Sequence, residues 1–144
     1  MSKIKRLLNF ILTRKVKVPY YFLDKQMPSL KQINKGNWID LAAPSQIILH
    51  KGSSRMITLA IAMYMPEGIE ANVLPRSSMY KNYGTILLNS EGVIDDTYRG
   101  PEDIWRANIM QLEEKGNIEK HDRILQFRLI PAMNASPLVK LKFL

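Results

Sequence analysis

Along much of the chain apolar and polar residues alternate with a period of two. From Met56 to Met65, the residues Ile57, Leu59, Ile61, Met63 and Met65 fall on one face, as in a strand with one side buried. Arg123 to Leu129 repeats the pattern, with Leu125 and Phe127 on one face and Gln126 and Arg128 on the other. Val139, Leu141 and Phe143 alternate with Lys140 and Lys142. Further strands are expected at Val16–Phe22, Gln46–His50, Ile69–Leu74, Thr85–Leu88 and Ile104–Leu112. Turn residues separate them at Lys51-Gly52-Ser53-Ser54, Pro66-Glu67-Gly68 and Glu114-Lys115-Gly116-Asn117. Short strands at this spacing predict an all-β antiparallel sandwich or barrel such as a jelly roll. No repeat or linker interrupts residues 16–144, which read as a single β domain.

Before that domain the pattern changes. Ile4, Leu7, Leu8, Ile11 and Leu12 recur at helical spacing opposite basic residues, so residues 1–15 read as a short amphipathic leader. It suits an anionic membrane surface or a partner, or simply a terminal helix resting on its own domain. The charge follows the same division. Lys3, Lys5, Arg6, Arg14, Lys15 and Lys17 supply six of the 21 basic residues, leaving 15 against 13 acidic ones and a body at only +2 of the formal +8. A duplex-binding surface needs its cations on the folded face that meets phosphate, so duplex nucleic acid is not the expected partner. The 144 residues contain no cysteine, which excludes disulfides, thiol catalysis and zinc–thiolate sites and suits a cytoplasmic protein.

Three polar clusters lie between the strands. Pro75-Arg76-Ser77-Ser78 follows a strand directly. A guanidinium beside two hydroxyls and open amides suits phosphate oxygens; the same residues also suit the capped start of a short helix. Asn89 to Gly100 reads as a hairpin carrying two adjacent carboxylates, Asp95 and Asp96, and a tyrosine, Tyr98. Such a hairpin presents main-chain groups to a planar base while a carboxylate serves as base for water, or it is an ordinary hairpin with solvated acids. Asp122-Arg123-Ile124-Leu125-Gln126 places the Gln126 amide on the polar face of its strand, as a phosphate donor or as an exposed polar residue.

Taken together and in order, these clusters resemble the trimeric dUTPases. Gly36-Asn37-Trp38-Ile39-Asp40-Leu41 is similar to the first motif of that family, Pro75–Ser78 to the second, Asn89–Gly100 to the third and Asp122–Gln126 to the fourth. The resemblance implies a distorted jelly-roll-like β-barrel that hydrolyses dUTP to dUMP and pyrophosphate as a homotrimer with Mg²⁺. It implies that main-chain groups from Asn89 to Ile94 read uracil, with Gly92 allowing close approach, and that Tyr98 packs on the deoxyribose. Asp95 holds the sugar 3′-hydroxyl or the attacking water and acts as general base. Arg76, Ser77 and Gln126 hold the triphosphate, Ser78 supports their turn, and Asp40 reaches the metal through water. The hairpin of one subunit meets motifs one, two and four of a neighbour.

Two departures from the pattern stand out. His121 occupies the place before Asp122 where the family usually has glycine, so a turn needing positive φ is strained there. The family's fifth motif, a glycine-rich C-terminal arm that closes over the phosphates, has no counterpart before Leu144. The resulting expectation is slow turnover with base preference kept. The alternative reading is a lid-less dUTP-binding or regulatory relative. The dCTP deaminases share the fold, but their motifs differ from Val93-Ile94-Asp95-Asp96-Thr97-Tyr98.

Overall fold

A computed structural model describes residues 17–31 and 36–133. The basic leader and the expected strand at Val139–Phe143 lie outside the described residues. The strands are β1 (Tyr20–Phe22), β2 (Ile39–Ala42), β3 (Ser54–Thr58), β4 (Ile61–Met63), β5 (Ile69–Pro75), β6 (Thr85–Leu87), β7 (Gly92–Ile94), β8 (Arg106–Gln111) and β9 (Arg123–Pro131). One short helix, α1 (Ser77–Tyr83), joins β5 to β6. All pairings are antiparallel and form a four-stranded sheet β2-β9-β5-β7, a three-stranded sheet β3-β8-β6 and a β1-β4 pair. The architecture is a distorted jelly roll.

The alternation seen in the sequence decides what is buried. Leu125 and Phe127 of β9 meet Ala71 and Val73 of β5 and Leu41 of β2 in the core, while Arg128 faces solvent. The Trp105 ring stands edge-on to Phe127, with centroids 5.2 Å apart and planes at 87°. Ile61, Ile109, Ile118 and Ile124 close around them. Full burial of each such side chain contributes about 1.5–3 kcal/mol before entropy is subtracted.

Two expected strands differ in the structure. The single strand expected from Met56 to Met65 is broken after Thr58: β3 pairs with β8, whereas β4 pairs with β1. All five alternating residues are nonetheless buried. Ala60 takes φ 53, and this left-handed residue turns the chain from one sheet into the other. The second difference is Gln46–His50, which forms only one bridge, Ile47 to Ile118. Only Ile47 of that segment is buried, so a single apolar anchor holds it without a ladder.

Candidate active site

The segment expected to be a hairpin is an arch. β6 and β7 do not pair with each other: β6 pairs with β8 and β7 with β5, each as the last strand of its sheet among the described residues. Two sheet edges therefore face one another, and an edge carries main-chain N–H and C=O groups that no ladder consumes. The connection turns at Ser90, which takes φ 62, and is tied by Ser90 N–H to Leu87 O at 3.0 Å and Asn89 Nδ2 to Glu91 O at 2.9 Å. Gly92 lies against β5. A Cβ built on it would stand 3.2 Å from Val73 Cβ, so here the glycine serves the strand pairing itself.

Between these edges opens a cleft of about 520 Å³, within the range of small-molecule sites. Val73, Gly92, Val93 and Ile94 line it from the β5–β7 side, Met56, Leu87, Arg106 and Asn108 from the β3-β8-β6 sheet, and Asn89, Asp95, Thr97, Tyr98 and Trp105 from the connecting loops. Asp95 starts the loop after β7 and is exposed. Thr97 donates its backbone N–H to Asp95 Oδ1 at 2.8 Å. That bond, with further ones from the Thr97 and Asp96 side chains, holds the Asp95 carboxyl below the ordinary aspartate value. The group is therefore ionised at neutral pH and is exposed at the cleft. Tyr98 donates its hydroxyl to Ile104 O at 3.0 Å, which fixes its ring at the cleft.

A second polar cluster is built on the other edge of the four-stranded sheet. The register sets Asp40 of β2 opposite Gln126 of β9, and Gln126 opposite Leu74 of β5. Their side chains share one face, beside the residue that follows β5. Arg76 Nε lies 2.9 Å from Asp40 Oδ1, and Arg123 Nη1 donates to Asp40 Oδ2 at 3.1 Å. Arg76 Nη1 also donates to Arg123 O at 3.2 Å, and Gln126 Nε2 to Pro75 O at 3.2 Å. Ser78 Oγ sits at the 3.5 Å limit from Arg76 Nη1. Ser77 and Ser78 open α1, with Arg76 at the N-cap and no side chain capping the helix. The serine hydroxyls are thus not used to satisfy helix amides. With 27% of the Arg76 side chain exposed, a guanidinium already oriented by Asp40 remains reachable from solvent.

The structure thus gathers Asp40, Arg76, Ser77, Ser78 and Gln126 into one cluster, and Asn89, Gly92, Ile94, Asp95 and Tyr98 into another. None of the first group lines the cleft. The residues that sequence reasoning missed are Met56, Trp105, Arg106 and Asn108, which close the cleft from β3 and β8. Their spacing along the chain carries no signal, because only the β3–β8 register brings Met56 opposite Asn108. His121 takes φ 71, so the turn before β9 does adopt the left-handed conformation that glycine favours.

The fold and cleft define a class of jelly-roll β proteins with a ligand site between two open sheet edges. Comparison with known proteins narrows the class. The sequence profile of the dUTPase family matches residues 31–142. An SPbeta prophage-derived deoxyuridine 5′-triphosphate nucleotidohydrolase of Bacillus subtilis is 41% identical over 125 residues, covering 87% of this chain and 86% of that protein. The deoxyuridine 5′-triphosphate nucleotidohydrolase of Ehrlichia canis is 34% identical over 111 residues, or 76% and 71% of the two chains. Among solved structures, the dUTPase of Streptococcus mutans superposes with a TM-score of 0.69 at 20% identity, over 79% of this chain and 95% of that one. The dUTPase of Staphylococcus aureus phage phi11, in which a structural Mg(II) ion is coordinated, gives 0.71 at 16% identity over 88% and 97%. The chain belongs to the dUTPase family.

Proposed function

We propose that this protein hydrolyses dUTP to dUMP and pyrophosphate, with uracil held in the cleft between β6 and β7. The observation that carries this reading is the ionised Asp95 at the mouth of a cleft walled by unpaired strand edges. Main-chain groups from Asn89 to Ile94 read the base. Cytosine reverses donor and acceptor at its exocyclic position and leaves a buried group unpaired, so a backbone reader discriminates against it strongly. Tyr98, anchored through Ile104, packs on the deoxyribose and leaves no room for a 2′-hydroxyl. Asp95 takes a proton from water as the water oxygen bonds to the α-phosphorus. The bond from that phosphorus to the bridging oxygen breaks, and pyrophosphate leaves with the electron pair.

Arg76, Ser77 and Gln126 hold the triphosphate, with Ser78 supporting the turn. This is supported by the solvent-reachable guanidinium, pre-aimed by Asp40 and Arg123 O. Among the described residues no three His, Asp or Glu side chains converge as a metal cage. Asp40 is engaged by two guanidinium groups. Mg²⁺ would then be held mainly by the substrate phosphates, and Asp40 would act on it through water. When bound it neutralises phosphate charge. The phosphate cluster and the cleft occupy different edges of the four-stranded sheet, which supports a site shared between copies. With the family resemblance the reading is a homotrimer, the arch of one subunit facing the Arg76 cluster of the next.

The test is pyrophosphate release from dUTP with Mg²⁺, beside dCTP and UTP. Turnover confined to dUTP is expected. Ammonia release from dCTP would move the protein to the deaminases, and equal turnover of UTP would remove Tyr98 from sugar selection.

A further inference from the structure

Asp95 and Asp96 are adjacent in the loop after β7 but differ in surroundings. Asp95 opens to the cleft, whereas Asp96 is only 7% exposed. A buried carboxyl group is costly to keep unless its oxygens find partners. Asp96 forms no ion pair among the described residues. Its Oδ2 accepts the Gly68 backbone N–H at 2.6 Å, across 28 residues of chain. Gly68 takes φ 79 in the Pro66–Ile69 turn, where Ile69 N–H donates to Pro66 O at 3.1 Å. Gly68 O in turn accepts Ala132 N–H at 2.8 Å, just beyond β9. Asp96 is thus fastened to a turn that is itself tied to the long central strand of the four-stranded sheet.

The other hydrogen bonds of residues 95–98 among the described residues stay within the same loop. Thr97 N–H and Tyr98 N–H turn back onto Asp95, and the Tyr98 hydroxyl reaches Ile104 O. Arg99 Nη1 approaches Met65 O only at the 3.5 Å limit. Inside the loop, then, the Asp95 carboxylate and Tyr98 ring are fixed relative to each other. Their place relative to the barrel is set through Asp96.

We infer that Asp96 is the positioning residue of this active site, holding the loop that carries Asp95 and Tyr98 against the Pro66–Gly68 turn. The inference rests on the proposed role of Asp95. A displacement of about 1 Å in a catalytic group is enough to cost roughly 10²-fold in rate. Loss of the anchor therefore acts on the chemical step more than on nucleotide binding.

The experiment compares Asp96→Asn, Asp96→Glu and Asp96→Ala in the full chain, with kcat and KM for dUTP, the melting temperature, and the titration of Asp95 by carboxyl-carbon NMR. Asp96→Asn keeps an acceptor at the same distance and should retain most of kcat. Asp96→Ala and Asp96→Glu should lower kcat by about 10–10²-fold with KM changed by less than about threefold. Asp96→Glu keeps the carboxyl group but lengthens it, so an Asp95 titration moved upward in that variant reports that residue 96 no longer holds the Asp95 carboxyl and its Thr97 contact in place. If Asp96→Glu, and Asp96→Ala where it folds, keep kcat within about twofold while only the melting temperature falls, Asp96 is a stabilising anchor and the inference fails. Should the wild-type chain not hydrolyse dUTP, the proposed function fails first, and an unmoved Asp95 titration in Asp96→Glu then overturns the positioning role by itself.

Discussion

In the proposed reaction Asp95 carries the most chemistry of any single residue. Asp95→Asn keeps its shape and removes the base, so dUTP turnover should fall by about 10²–10⁴-fold. Binding of a non-hydrolysable dUTP analogue should change much less, and unchanged turnover would make Asp95 a bystander. The hydrogen bond from Thr97 gives a second expectation. It favours the charged form, so the folded-state pKa is depressed and the base form persists as the pH falls. The acid limb of kcat/KM should therefore lie below the usual aspartate value of about 3.9. A limb at pH 5 or above, read from initial rates, would mean another group controls the reaction. His121 tests backbone strain separately from chemistry. At φ 71 a side chain is disfavoured, so His121→Gly should raise stability by about 0.5–1 kcal/mol in urea unfolding. His121→Val should lower it by more than about 1 kcal/mol.

At the scale of elements, the arch between β6 and β7 and the join of β2, β9 and α1 make the two halves of the proposed site. The second half depends on guanidinium geometry. Arg76 donates through Nε to Asp40 and through Nη1 to Arg123 O, which a single ammonium cannot reproduce. Arg76→Lys should reduce kcat/KM for dUTP by about tenfold or more, with stability changed by less than about 1 kcal/mol because the pair is partly solvated. Steady-state kinetics beside a thermal melt separates the two effects. A melt that collapses with unaltered kcat/KM would make Arg76 a structural link only. The break between β3 and β4 shows what element-level patterns leave open. Alternation from Ile57 to Met65 reports which side chains are buried, and it is the same whether the strand stays in one sheet or passes at Ala60 into another.

At the scale of the whole molecule, the proposed site joins a cleft on one edge to an Arg76 cluster on another, so the proposal requires copies to meet. Light scattering should find a trimer, and a monomer at micromolar concentration would contradict the shared site. A mixing experiment is more direct. Chains carrying Asp95→Asn and chains carrying Arg76→Ala, each inactive alone, should recover activity when unfolded and refolded together. With equal mixing about one quarter of the shared sites combine two intact halves. No recovery would place both halves of each site in one chain.

The sequence by itself determined the all-β class, most of the buried faces and the polar clusters that carry the family resemblance, while β2 at Ile39–Ala42 went unread as a strand. These are local properties: a period of two reports a half-buried strand, and Pro75-Arg76-Ser77-Ser78 or Asn89–Gly100 is contiguous chain. The structure alone decided that β6 and β7 part into different sheets, that Met56 and Arg106 wall the cleft, and that Asp95 is exposed while Asp96 is buried. Each depends on register across distant strands. A register pairs residues through space, Met56 with Asn108 or Asp40 with Gln126, and adjacent residues of a loop are told apart only by what the rest of the fold offers them: solvent and a cleft for Asp95, the amide of Gly68 for Asp96.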